Sequence, residues 1–206
     1  MIHNIIFDFG GVLIDFDPDG TLTGAFGEAD LPLLKRILFD SGLWANLDLG
    51  RMHLPEVAQA ACKALPERFH AKLTDLLCNW WSHMPPIDGM EDFVRELKDN
   101  GYRVYLLSNT SDDIYTYYDN YPVLSLMDGI CASFEYGVIK PDPRLYRILY
   151  EKFALDPAEC FFIDDVQKNI DGASQTGMAG HCFADRDVTR LREAMRRAGI
   201  STKSKV

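Results

Sequence analysis

The chain has 206 residues, 47% hydrophobic and 25% charged, a composition that belongs to a folded globular protein with a substantial core. Its formal net charge of −10 argues against a nucleic-acid partner, because neutralising phosphates needs clustered Lys and Arg. The five cysteines (Cys62, Cys78, Cys131, Cys160, Cys182) form no C-x-x-C pair, no apolar run could span a bilayer, and no leader pattern precedes Ile5. Together these predict a reduced, cytoplasmic protein without a membrane segment.

In chain order, the apolar run at residues 2–7 predicts a buried strand. From about residue 18 to 83 the pattern is helical and contains no strand, with helices expected over 31–39, 55–64 and 67–81. Pro85-Pro86 marks the end of this insert. Beyond it, strands predicted at 103–107, 130–134, 160–163 and 180–183 alternate with helices at 90–100, 112–120, 143–153 and 167–176 and a C-terminal helix. Such alternation predicts an α/β chain, a Rossmann-like three-layer sandwich with a parallel sheet. Residues 1–16 and 85–206 are expected to form the catalytic core, and residues 17–84 an α-helical cap inserted after the first strand. Residues 186–206 hold seven Lys/Arg against two Asp/Glu. Val188, Leu191, Ala194, Met195 and Ala198 recur there at helical spacing, which puts the charges on the wet face of a packed helix.

Ligands of open parallel sheets gather at the carboxyl ends of the strands. Asp8-Phe9-Gly10-Gly11 follows the first predicted strand, and Ser108-Asn109-Thr110 follows the second. Lys140-Pro141 follows the third and Asp164-Asp165 the fourth. Carboxylates crowded at one edge repel, and a hard divalent cation holds them ionised while offsetting the charge of a phosphorylated substrate. Ser108 and the main-chain N–H groups after it suit phosphoryl oxygens, and Lys140 supplies fixed positive charge. An aspartate attacking phosphorus would form an aspartyl-phosphate that water then hydrolyses.

These four segments resemble the motifs of the haloacid dehalogenase superfamily of hydrolases. Phe7-Asp8-Phe9-Gly10-Gly11-Val12-Leu13 matches the first, Leu107-Ser108-Asn109-Thr110 the second, Lys140-Pro141 the third and Phe162-Ile163-Asp164-Asp165 the fourth. Within it the chain is most similar to the glucose-1-phosphate phosphatase type, and more distantly to the N-terminal domains of soluble epoxide hydrolases. The Gly137-to-Pro143 run, the Asp164-Asp165 pair and Asn169 carry that similarity. The resemblance implies Asp8 as nucleophile, with Ser108, Asn109 and Lys140 binding phosphate. It also implies Mg2+ on Asp8, the Gly10 carbonyl, Asp165 and Asp164, and a small phosphorylated metabolite, such as a sugar phosphate, as substrate.

One position departs from the pattern. The usual first motif has a second aspartate, the general acid and base, where this chain has Gly10. Losing such a group typically costs about 10²–10⁴-fold in rate. Asp15, Asp17, a cap residue or water is the expected substitute. The rival readings are a slow or inactive phosphate-binding module, a 2-haloacid dehalogenase and a phosphomutase. The dehalogenase leaves the acidic pair without a purpose, and a bare binding module would gain nothing from a carboxylate aimed at an anion. Asp15 to Gly20 imitates the start of a calcium loop, but Phe26 stands where that loop needs a bidentate Glu. Trp44, Asn46, Arg51, Trp80 and Trp81 are the residues of the insert expected to be able to line the pocket.

Overall fold

The computed structural model describes residues 1–117 and 119–202. Five short strands, β1 (Asn4–Phe7), β2 (Arg103–Ser108), β3 (Gly129–Ala132), β4 (Cys160–Asp164) and β5 (Ala179–Cys182), form one sheet in the order β3-β2-β1-β4-β5. Every pairing is parallel, with Phe7 opposite Leu106 on one side and Ile163 on the other. Parallel strands buried on both faces read as continuous apolar runs, and Asn4–Phe7 is buried throughout.

Alternate residues of the same strands feed two cores. Ile5, Phe7, Leu106 and Ile163 join the first, with Phe93, Val94 and Leu97 of α6 (Met90–Asp99) and Leu191 and Met195 of α9 (Val188–Arg197). Ile6, Leu107 and Phe162 join the second, under Leu145, Tyr146 and Leu149 of α7 (Pro143–Phe153) and Ala173 of α8 (Gln167–Gln175). The period-two alternation of strands therefore makes the expected three-layer α/β sandwich. On α9, Arg192 pairs with Glu96 at 2.6 Å and Arg190 with Asp185 at 3.0 Å, so these charges decorate a packed helix.

Between β1 and α6 lie α1 (Pro18–Phe26), α2 (Leu31–Lys35), α3 (Leu43–Asp48), α4 (Leu54–Ala64) and α5 (His70–Cys78). A wider π turn, Arg36–Asp40, continues α2. α4 and α5 bury Val57, Ala58 and Ala61 with Leu73, Leu76 and Leu77, in the same cluster as the first core. The two crossings into the insert run side by side. Asp15 N donates to Pro85 O at 2.7 Å, and Ile87 N donates to Leu13 O at 3.0 Å.

Three predicted elements are shorter than the spacing implied. The helix expected over 67–81 is α-helical only at His70–Cys78, with a 3-10 turn on either side. Of the helix expected over 112–120, which includes one residue outside those described, the described residues form only a 3-10 turn, Asp112–Thr116, which Ser111 opens by accepting from Asp113 N. A second such turn starts at Pro122, and a residue before proline is driven out of helical conformation. The strand expected to reach residue 134 stops at Ala132, because the Ser133 hydroxyl turns to bond Thr110 and the carbonyl of Asp48.

Candidate active site

Asp8 lies just beyond β1, Ser108 closes β2 and Asp164 closes β4, so three neighbouring strands deliver polar groups to one edge. Lys140 reaches the same point from the turn between β3 and α7. Its main chain is clamped by the Asn109 amide: Lys140 N donates to Asn109 Oδ1 at 2.7 Å, and Asn109 Nδ2 donates to Lys140 O at 3.2 Å. The buried ammonium then spends its three donors on Leu107 O at 3.0 Å, Asp8 Oδ1 at 2.8 Å and Asp164 Oδ2 at 2.7 Å. Burial works against charge on Lys140, but Asp164 and Asp8 outweigh it and its pKa rises.

Burial pushes the Asp8 carboxyl up to about 7, with Lys140 pulling it down and Asp164 pushing it further up. Asp165 is also raised, by burial and then by the charge of Asp164. One oxygen from each of Asp8, Asp164 and Asp165 lies within 4.8 Å of the others. Asp164 is already engaged at both oxygens. Oδ1 accepts from Val166 N at 2.8 Å and Asn169 Nδ2 at 2.9 Å, while Oδ2 accepts from Lys140. Asp8 and Asp165 therefore have the lone pairs to spare, and a pair of electrostatically frustrated carboxylates fits a hard divalent cation such as Mg2+.

Two glycines shape this edge for different reasons. Gly11 has φ +73°, and a Cβ there would run into the Asp165 carboxylate. Only glycine satisfies both the conformation and the close approach. At Gly10 the constraint is space, since a Cβ would sit 3.2 Å from Cβ of Phe16. The Phe16 ring packs at 5.9 Å from that of Trp44 and 6.3 Å from that of Trp80. The insert thus supports an aromatic side chain over the position where an acid would stand.

A cavity of about 320 Å3 opens above these groups. Asp8, Ser108, Asn109, Lys140 and Asp165 form its polar floor, and Phe16, Phe39, Trp44, Leu54, Trp80 and Met84 its apolar wall. Of the insert residues expected to line it, Trp44 and Trp80 do, whereas Asn46, Arg51 and Trp81 do not. Neither proposed substitute acid from the entry loop reaches the cavity. Asp15 pairs with Arg186, and Asp17 caps α1 by accepting from Gly20 N at 3.0 Å. Sequence reasoning did not single out Asp48, Phe16 or Ser133. Asp48 lines the cavity from the end of α3, and no local motif marks it.

The haloacid dehalogenase-like hydrolase family matches residues 2–177. The D-ribitol-5-phosphate phosphatase of Bacteroides thetaiotaomicron is 27% identical, covering 86% of this chain and 89% of its own. The sesquiterpene phosphatase astK of Aspergillus oryzae is also 27% identical, covering 87% of this chain and 89% of its own. The crystal structure of a HAD family enzyme from Bacteroides thetaiotaomicron, a magnesium complex, superposes with a TM-score of 0.70 at 25% identity over 87% of this chain and 92% of that one. An L-2-haloacid dehalogenase from Xanthobacter autotrophicus shares the fold at a TM-score of 0.67 and 19% identity, over 98% of this chain and 85% of that one. With its strand-end acids, its clamped lysine and a family match over most of its length, this chain belongs to the haloacid dehalogenase-like hydrolases.

Proposed function

We propose that this chain is a Mg2+-dependent phosphatase that hydrolyses small phosphomonoesters through an aspartyl-phosphate on Asp8. The observation that carries the reading is the set of three carboxylates around one buried lysine at the floor of the cavity. Asp8, Asp165 and the Gly10 carbonyl are the groups that would hold the ion, with Asp164 behind them ordering Lys140. The ion would supply the positive charge that lets an anionic nucleophile approach an anionic phosphate. Asp8 attacks phosphorus in line with the departing oxygen. Lys140 orients the nucleophile and draws it toward ionisation against the effect of burial, while the Ser108 hydroxyl binds a phosphoryl oxygen. Asn109 acts mainly by holding Lys140 in place, since its amide is spent on that main chain.

The helical insert is proposed to act as a cap that hinges at the paired crossings 13–15 and 85–87 and shuts the cavity from water. Its aromatic wall favours an ester whose organic part presents an apolar face, which narrows the sugar-phosphate expectation. Relatives named for a sugar-alcohol phosphate and for a sesquiterpene substrate bracket that range. All five cysteines are free thiols, which fits a reducing compartment such as the cytoplasm. Among the described residues no helix is long and apolar enough to cross a membrane.

The test is phosphate release from a panel of sugar, aryl and prenyl phosphates, with Mg2+ and with EDTA, for the wild type and Asp8→Asn. Release that needs Mg2+ and vanishes in Asp8→Asn supports the reading. No release above background from any ester would make the chain a phosphate-binding module.

A further inference from the structure

The reading above leaves the departing oxygen without a proton donor, because Gly10 carries no side chain and Phe16 packs close beside it. We infer that Asp48, delivered by the insert, is the general acid and base of this site. The inference rests on the phosphatase reading and adds a residue to it.

Three observations carry it. First, Asp48 lines the same cavity as Asp8, Ser108 and Lys140. Second, its position is set by contacts with the phosphate-side loop. The buried Ser133 hydroxyl donates to Asp48 O at 2.6 Å and accepts from Thr110 N at 3.0 Å, so one side chain ties the end of α3 to the residues following Ser108. Gly50, at φ +65°, tightens the same junction, because a Cβ there would lie 2.5 Å from Phe134 O. Third, the half-buried Asp48 carboxyl accepts no hydrogen bond from any described residue. Burial lifts it to about 7 against the pull of Lys140, which leaves it able to give and take a proton at neutral pH.

The chemistry balances with that one group. As the bond from Asp8 to phosphorus forms and the bond from phosphorus to the ester oxygen breaks, protonated Asp48 gives its proton to that oxygen and the alcohol leaves. Water then attacks the phosphorus of the aspartyl-phosphate while the Asp48 carboxylate takes its proton. The Asp8–phosphorus bond breaks, inorganic phosphate leaves, and both acids return to their starting states.

The experiment compares two esters of similar size and apolar shape, p-nitrophenyl phosphate and benzyl phosphate, on the wild type, Asp48→Asn, Asp48→Glu and Asp8→Asn. The nitrophenolate departs without a proton, whereas the benzyl alkoxide needs one. In Asp48→Asn, kcat/KM should fall about 10²–10⁴-fold on benzyl phosphate and far less on p-nitrophenyl phosphate. Asp48→Glu, which keeps a carboxyl, should recover part of the benzyl phosphate activity. Asp48→Asn is nearly isosteric and removes a charge that burial disfavours, so it should fold, which a thermal melt checks. Equal losses on the two esters would reduce Asp48 to a positioning role, and no loss on benzyl phosphate would remove it from the chemistry; either overturns the inference. If wild type releases phosphate from neither ester, the phosphatase reading fails first and takes this inference with it.

Discussion

Replacing Lys140 by methionine keeps the volume of the side chain and removes its charge. Asp8 and Asp164 would then face each other with no cation between them, at sites where Lys140 now sits 2.8 and 2.7 Å away. Breaking a buried ion pair by removing one partner costs about 3–5 kcal/mol, because a desolvated charge is left uncompensated. For a chain of this size 1 kcal/mol moves Tm by about 2–4 °C, so a fall of roughly 6–20 °C follows in EDTA. The loss should depend on pH. Asp8 has a folded pKa of about 7 against 3.8 for a free carboxyl, so the folded chain binds the extra proton between those values. Its contribution is fully present below pH 3.8 and is lost as pH rises through 7. Without Lys140 the carboxyl is pushed higher still, so the deficit of Lys140→Met should be small in acid and largest above neutrality. Adding Asp164→Asn removes one of the two stranded charges and should return about half of the lost stability. Urea unfolding of wild type, single and double variants across this pH range supplies the measurement. An unchanged midpoint for Lys140→Met at pH 8, or a double variant less stable than the single, would refute the electrostatic account.

Gly11→Ala should displace the Asp165 carboxylate and weaken Mg2+ binding by about 10–100-fold or more, read by calorimetric titration of the metal. Gly10→Asp should not raise turnover of benzyl phosphate and should cost about 1–3 kcal/mol, because its Cβ would press on Phe16, which packs against two tryptophan rings. A gain in kcat would show that the space is not filled. Ser133→Ala strands the Thr110 N–H and the Asp48 carbonyl, so about 1–3 kcal/mol of stability should go, and kcat should fall with it. Denaturant unfolding beside steady-state kinetics tests the link, and a variant with full activity would break it.

The core and the floor of the site were legible because strand periodicity and strand-end acids are local. Ile5–Phe7 of β1 and Cys160–Ile163 of β4 are unbroken apolar runs that lead into Asp8 and Asp164, and a parallel sheet brings such ends together. What remained hidden depends on tertiary contact. Asp48 is an ordinary acid near a helix end until Ser133 ties it beside Thr110. The absence of an acid at Gly10 was plain from the residues, but the close approach of a phenylalanine six positions on appears only once the entry loop folds back. Asn109 was expected on the phosphate, and its clamp on the Lys140 main chain spans 31 positions of sequence. The failed helix over 112–120 has a local cause, the Ser111 cap and the proline that starts the next turn, which apolar periodicity outweighed.

The central claim is that Asp8 carries the phosphoryl group. Wild type is mixed with p-nitrophenyl phosphate and Mg2+, quenched in acid within a single turnover, and digested for peptide mass analysis. The account predicts one phosphoryl group on the peptide that contains Asp8, absent in EDTA and in Asp8→Asn. Steady turnover in Mg2+ with that peptide unmodified at every quench time, or the label on another residue, would contradict it.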